Sequence, residues 1–147
     1  MDFFFDSLFA VHDAIKDGVA GLEEYLDVPC DFGYPADMRD EHFWVSIAAT
    51  SEYKPIDSNL RAFEGKLVVG GGITVAQFLV DGWLPIRSRL LELTRPFETF
   101  LRGDPTVAGT CSTAYFSRGE TNSHMETDTK GRMTAFWEVL ITQHPRG

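Results

Sequence analysis

The sequence predicts an α+β domain, in which two main helices pack on one face of a mostly antiparallel sheet of about four to five strands. Two long segments repeat apolar residues at helical spacing, and two others alternate apolar and polar residues as half-buried strands do. The elements follow the order α-β-β-β-α-β-β, which is typical of a sheet covered on one side. The chain has 147 residues, of which 44% are hydrophobic. We therefore expect residues 1–147 to form a single domain with a substantial core.

The first helix is predicted from about Asp2 to Leu22. At about 100° per residue, its apolar residues gather on one side, namely Phe4, Leu8, Val11, Ile15, Val19 and Leu22. The opposite side carries a narrow row of carboxylates, Asp2, Asp6, Asp13, Asp17 and Glu24. We call these five residues the acidic stripe. Gly18 is a weak point at which the helix could end early.

Three strands are predicted between the two helices. Leu26–Phe32 is a short strand at an edge or an end, because Pro29 cannot donate a backbone hydrogen bond to a neighbouring strand. Phe43–Thr50 alternates apolar and polar residues, and Leu60–Val69 is the third strand. The glycines at 70–72 are expected to bend or bulge this third strand.

The second helix is predicted from about Asp81 to Leu101. Its apolar residues follow a regular helical spacing, Trp83, Ile86, Leu90, Leu93, Phe97 and Phe100. Pro96 lies inside this pattern, where a proline removes a backbone hydrogen bond and costs about 3 kcal/mol. We therefore expect a kink or break near Thr94.

Two further strands follow the second helix. Thr106–Phe116 is rich in threonine, alanine and aromatic residues, and Arg132–Gln143 has an apolar residue at every second position. Ser117–Lys130 lies between them without any periodicity and is predicted to be a polar loop. Ser51–Asn59 is predicted to be a second polar loop.

The net charge of −9 is confined to the first quarter of the chain. Residues 1–41 contain 11 acidic and 2 basic residues, whereas residues 42–147 contain 11 of each. Tight nucleic-acid binding needs clustered basic residues and is disfavoured, but an acidic surface past which DNA slides is compatible with this charge. The chain starts without the basic region of a signal peptide and has no run long enough for a membrane helix, so a soluble protein made in the cytoplasm is expected.

The sequence contains no catalytic or cofactor motif. It lacks an H-E-x-x-H pair, a phosphate-binding glycine loop and a nucleophile elbow. His124, Glu126 and Asp128 form the one cluster of metal-ligating residue types, and three such residues are too few to favour a metal site. Cys30 and Cys111 are expected to be half-buried thiols. We therefore expect no enzyme activity, no cofactor and no metal.

Several segments of the chain resemble the tail terminator (tail-to-head joining) proteins of long-tailed, non-contractile bacteriophages, especially those that infect actinobacteria. The resemblance covers most of the chain and begins with the helix at Ala10–Leu22. It continues with Val28–Pro35, Arg39–Val45, Arg89–Gly109 with its Asp104-Pro105-Thr106 exit, and Arg132–Thr142.

The resemblance implies a ring, usually of six subunits, that caps the tail tube, stops its polymerisation and meets the head connector. DNA would pass through the lumen, and no catalysis is implied. We hypothesise that the acidic stripe faces this lumen, because a single sign of charge repels DNA. The polar loops are expected to contact other subunits or the tube through Glu52, Lys54, Asp57, Arg118, Glu120, His124, Glu126, Asp128 and Lys130.

Other functions fit the same sequence. A connector or head-completion protein of the phage neck would also be a small ring-forming protein. A small phage hydrolase would have its site around His124–Asp128. An acidic host-binding module would present the stripe to a basic partner. The ring hypothesis places the protein in the virion, at the tail or neck, and in the host cytoplasm during assembly, away from any membrane.

Overall fold

The structure, a computed structural model, describes residues 4–55, 63–111 and 113–143. Its elements are α1 (Phe4–Ala20), a 3₁₀ turn (Glu23–Tyr25), β1 (Cys30–Phe32), β2 (Glu41–Pro55), β3 (Phe63–Phe78), α2 (Leu84–Gly103), β4 (Thr113–Met125) and β5 (Lys130–Gln143). The predicted α+β class and the order of helices and strands are confirmed.

The five strands form one sheet in the order β1-β2-β3-β5-β4. All neighbours are antiparallel except β1 and β2, which are parallel. Phe43 of β2 pairs with Ile73 of β3, which in turn pairs with Ala135 of β5. Residues in such a row point to the same side of the sheet, so these three side chains share one face.

Both helices pack on this face and enclose a single core. Val11, Ile15 and Val19 of α1 are fully buried, as the apolar spacing predicts. Phe97 of α2 lies at the centre of an aromatic cluster, with ring centroids 4.8 Å from Trp137, 5.2 Å from Phe116 and 5.3 Å from Phe43. Aromatic pairs at these distances stabilise a core beyond the area they bury.

Gly18 is where the two helices meet, and α1 continues through it to Ala20. A Cβ atom at this position would come within 3.0 Å of the Phe100 ring of α2. The early end that Gly18 suggested is therefore wrong, because this glycine makes room for a side chain of the other helix.

Two long-range polar contacts hold α2 in place. The Tyr25 hydroxyl donates a hydrogen bond to the carbonyl of Leu93 at 2.5 Å. Arg89 donates to both carboxylate oxygens of Glu41 at 2.7 Å and to Glu92 at 2.9 Å. These hydrogen bonds raise the pKa of Arg89. Such paired, charge-assisted bonds fix both position and orientation.

Pro96 does not break α2, which runs unbroken from Leu84 to Gly103. The predicted break near Thr94 is therefore wrong. Phe97 and Leu101 follow the proline and are both fully buried. Burying two such side chains contributes about 3–6 kcal/mol, which offsets the roughly 3 kcal/mol that an internal proline costs.

The glycines at 70–72 do not interrupt β3, and the predicted bulge is not found in this strand. β3 pairs with β5 without a register shift from Gly65 to Phe78, and the shift in this part of the sheet lies in β2, between Val45 and Ala49. Trp137 lies against Gly71 on the helix-covered face, and Trp44 lies against Gly72 on the opposite face. Gly71 and Gly72 therefore leave room for two tryptophan rings, one on each face of the sheet.

Several predicted boundaries also change. β1 is limited to Cys30–Phe32, and a turn precedes β4, which starts at Thr113 and not at Thr106. The first five residues of the predicted loop at Ser51–Asn59 belong to β2, which continues to Pro55. Residues 56–59 of that loop lie outside the described part of the chain.

Candidate interaction surfaces

The acidic stripe is an exposed surface for three of its five members. Asp6, Asp13 and Asp17 are all exposed on α1. Among the described residues, the only ion pair of these three is a 4.0 Å contact between Lys16 and Asp17. Glu24 is exposed but belongs to the 3₁₀ turn, because α1 ends at Ala20. Asp2 lies outside the described residues.

The predicted loop at Ser117–Lys130 consists of the second half of β4, a turn and the first residue of β5, which corrects the prediction. Arg118, Glu120 and His124 lie on β4, Glu126 and Asp128 lie in the turn, and Lys130 is the first residue of β5. Residues 117–129 are all exposed. The sequence did not predict this part of β4, because neither face of the strand is covered between residues 117 and 125. A strand that is exposed on both faces needs no alternation of apolar residues. β4 is an outer strand of the sheet, and its backbone pairs with β5.

The remaining predicted contact residues are Glu52, Lys54 and Asp57. Glu52 and Lys54 lie on β2, which is a strand at these positions and not a loop, but their side chains are outside the described part of the structure. Asp57 lies outside the described residues altogether.

A polar network fastens the turn of the hairpin to the segment before β2. Arg132 of β5 is nearly buried and donates to Glu126 of the turn. Arg132 also donates to the carbonyl of Arg39 at 3.1 Å and to the hydroxyl of Thr74 at 3.0 Å. Lys130 contacts Asp40 at 2.6 Å. Sequence reasoning missed this network, because its members are far apart along the chain.

His42 extends the same network on the helix-free face of the sheet. Its Nδ1 atom accepts the backbone N–H of Arg39 at 3.1 Å, so the proton must be on Nε2, which donates to Asp31. His42 is buried. The imidazole of His42 therefore connects β1 to the segment that precedes β2 through two hydrogen bonds.

The helix-free face also carries an open groove of about 720 Å³. Tyr34, Trp44 and Phe136 line it with aromatic rings, and Arg118 and Glu138 are charged residues of the lining. The ring centroid of Trp44 lies 5.3 Å from that of Tyr34 and 6.2 Å from that of Phe136. Tyr34 is exposed, so the groove presents an aromatic surface to solvent.

Burial shifts the pKa of three further titratable groups, His12, Cys30 and Cys111. His12 is fully buried, and neither ring nitrogen has a hydrogen-bond partner among the described residues. Burial lowers the pKa of His12, although the Asp13 carboxylate opposes this effect. Burial also raises the pKa of Cys30 and of Cys111 to about 11, so both thiols are protonated at neutral pH.

The described part of the chain contains no group of three or more His, Cys, Asp or Glu residues that could hold a metal ion. Glu126, the middle member of the predicted cluster, pairs with Arg132 instead. Neither helix within the described ranges combines the length and the apolar character needed to cross a bilayer.

Comparison with known proteins gives a match at the level of structure. No protein-family model matches the chain, and no curated protein sequence matches it. The fold is similar to that of a chain in the virion of a native gene transfer agent (GTA) particle, with a TM-score of 0.52 and 6% sequence identity. The match covers 89% of this chain and 93% of that chain. The two chains therefore share a fold over nearly their whole lengths.

Proposed function

We propose that this chain is a structural protein of a phage-like virion and not an enzyme. The observation that carries the proposal is the fold shared with a chain of a gene transfer agent virion over nearly all of both chains. The exposed acidic stripe and the long outer strand β4 also support it, since both are surfaces suited to contacts or passage and not to catalysis.

Within the virion, we propose that the protein is the tail terminator. Six copies would form a ring that caps the tail tube, ends its polymerisation and joins the tail to the head connector. The tube would be met by the β4–β5 hairpin, with Arg118, Glu120, His124, Glu126, Asp128 and Lys130, and by the β2–β3 side with Glu52, Lys54 and Asp57.

DNA would pass through the lumen of this ring without sequence-specific binding. We propose that Asp6, Asp13 and Asp17 face the lumen, together with Asp2 and Glu24, because carboxylates repel the phosphate backbone. A map of the assembled virion neck tests this orientation. A stripe on the outer wall of the ring would refute it.

Deleting the gene tests the tail function. A terminator limits tube growth, so we expect its loss to give tails of abnormal length beside normal, DNA-filled heads in negative-stain micrographs. Adding purified protein to tail tubes should place a cap on one end. Tails of uniform, normal length after deletion would overturn the terminator role.

A connector or head-completion protein of the neck is the second candidate, since the shared fold supports it equally well. The deletion distinguishes the two candidates. Loss of a connector would leave complete tails of normal length that fail to join filled heads, whereas loss of a terminator changes the length itself.

A further inference from the structure

α2 has an exposed flank that carries both apolar and basic side chains. Leu84 is 60% exposed and Leu91 is 40% exposed. Arg87, Arg95 and Arg102 are exposed beside them. At about 100° per residue, these five residues fall within an arc of about 80° on the helix. We call them the arginine flank; Glu98 lies in the same arc.

The arginines of this flank have no ion pair with any described residue, unlike the four other described arginines, Arg39, Arg89, Arg118 and Arg132. Arg89 is bound to Glu41, and Arg132 is bound to Glu126. The fold therefore satisfies these two less exposed arginines and leaves the flank available. Arginine and apolar side chains together are typical of protein interfaces, whereas single exposed leucines are ordinary.

A surface of the opposite charge lies on α1 and β1. Phe9 is 48% exposed and Phe32 is 43% exposed, and both rings contact His12, at centroid distances of 6.1 and 5.3 Å. Asp6 and Asp13 are three and four residues from Phe9, so they lie on the same side of α1. We call Phe9, Phe32 and these two carboxylates the phenylalanine patch.

The two surfaces point away from each other across the pair of helices. The helices touch where Gly18 meets Phe100. Phe9 is nine residues from Gly18, and Leu91 is nine residues from Phe100, so each lies about 180° from the helix–helix contact. The phenylalanine patch and the arginine flank therefore lie on opposite outer sides of the helical layer.

We propose that the arginine flank of one copy docks on the phenylalanine patch of a second copy. The contact is head-to-tail, and repetition of such a contact closes a ring when the rotation between copies allows it. This inference rests on the proposed ring. Asp13 lies about 40° from Phe9 around α1, so it borders the contact and pairs with an arginine of the next copy at the edge of the lumen, while Asp17 faces the lumen.

Cross-linking tests the contact directly. The single variants Phe9→Cys and Leu91→Cys are mixed and treated with a short bismaleimide. We expect a cross-linked dimer in the mixture and none with either variant alone, because different surfaces meet. The double variant Phe9→Cys/Leu91→Cys should give a series of cross-linked oligomers, and the largest should contain as many copies as the ring. The wild type, with its native Cys30 and Cys111, is the blank, and Leu26→Cys mixed with Leu91→Cys is the matched control for an exposed leucine.

Charge reversal tests the electrostatic part. Arg87→Glu, Arg95→Glu and Arg102→Glu together should raise the dissociation constant between copies at least tenfold in sedimentation experiments. Asp6→Arg with Asp13→Arg in the partner copy should restore association. Arg39→Glu is the control, since Arg39 is an exposed arginine at 3.3 Å from Asp37 and away from α2.

The outcomes separate this contact from the tail function. Wild-type rings without a mixed cross-link would mean that the copies meet elsewhere, and the ring function would be unaffected. If the wild type stays monomeric and the mixture of Phe9→Cys and Leu91→Cys gives no cross-link, the contact is overturned. A mixed cross-link together with unchanged tail lengths after gene deletion would retain the contact and overturn the terminator role.

Discussion

Trp44 and Gly72 are neighbours across β2 and β3, and the indole ring lies directly over the glycine. A Cβ atom at position 72 would come within 3.0 Å of three carbon atoms of that ring. Trp44 is buried although it lies on the face without helices. Its burial therefore depends on a residue without a side chain in the next strand.

Gly72→Ala is expected to lower the free energy of unfolding by about 1–3 kcal/mol, because the ring must move off the sheet. Urea unfolding monitored by tryptophan fluorescence measures this change. Gly119→Ala is the matched control, since a Cβ atom there meets nothing within 4 Å. We expect it to change stability by less than about 0.5 kcal/mol. Equal effects of the two substitutions would contradict the packing argument.

The sequence predicted those elements that bury one face. The alternation of Arg132–Gln143 and the helical spacing of α2 are direct records of packing, and the structure confirms both. It did not predict that β4 continues to Met125, since a strand exposed on both faces leaves no such record. The roles of Gly71 and Gly72 were also hidden, because they depend on Trp137 and Trp44, which come from other strands.

The candidate surfaces also differ in whether the sequence could predict them. The acidic stripe follows from residue spacing within one helix, and the exposure of Asp6, Asp13 and Asp17 agrees with that spacing. The network of Arg132, Glu126 and His42 joins residues that are distant in sequence, so no local pattern could reveal it.

Glu126 compensates a cation that is nearly buried, since the Arg132 side chain is only 7% exposed. Glu126→Gln keeps the volume and removes the charge, and it should cost about 1–3 kcal/mol of unfolding free energy. Equilibrium unfolding in urea measures the loss. Glu120→Gln is the control, because Glu120 pairs with Arg118 at 3.5 Å in solvent, where such pairs contribute little. If Glu126→Gln were as harmless as the control, the network would not support the hairpin.

The turn after α2 contains three consecutive residues with positive φ, Val107 at 48°, Ala108 at 56° and Gly109 at 75°. Asp104 accepts hydrogen bonds from the Ala108 N–H and from the Thr106 hydroxyl, both at 2.7 Å. These bonds lower the pKa of Asp104. The motif that ends α2 is therefore a turn held by an aspartate in a backbone conformation that disfavours ordinary side chains.

Ala108→Gly should stabilise the protein by up to about 1 kcal/mol, because glycine adopts a positive φ without steric cost. Thermal unfolding followed by circular dichroism measures the gain. Gly109→Ala should have the opposite sign and cost about 1–2 kcal/mol. Ala20→Gly, at the last residue of α1, controls for the loss of a methyl group and should destabilise. A loss of stability in Ala108→Gly would show that the turn is not strained at this residue.

His12 is expected to make stability depend on pH. Burial disfavours its charged form, so its pKa in the folded state lies below the usual 6.5. In the unfolded chain the ring takes up a proton as the pH falls below that value, and the folded protein resists doing so. Stability should therefore be complete above pH 6.5 and decline below it, with a slope of at most about 1.4 kcal/mol per pH unit from this residue.

His12→Leu should remove this decline and leave stability at neutral pH unchanged or higher, because it replaces two unsatisfied polar atoms by an apolar side chain. Urea unfolding of both proteins between about pH 8 and pH 5.5 measures the difference, in a range where histidine titrates. Other groups contribute equally to both proteins, so the difference belongs to His12. Parallel curves for the two proteins would mean that the ring is protonated as easily in the folded state as in the unfolded chain.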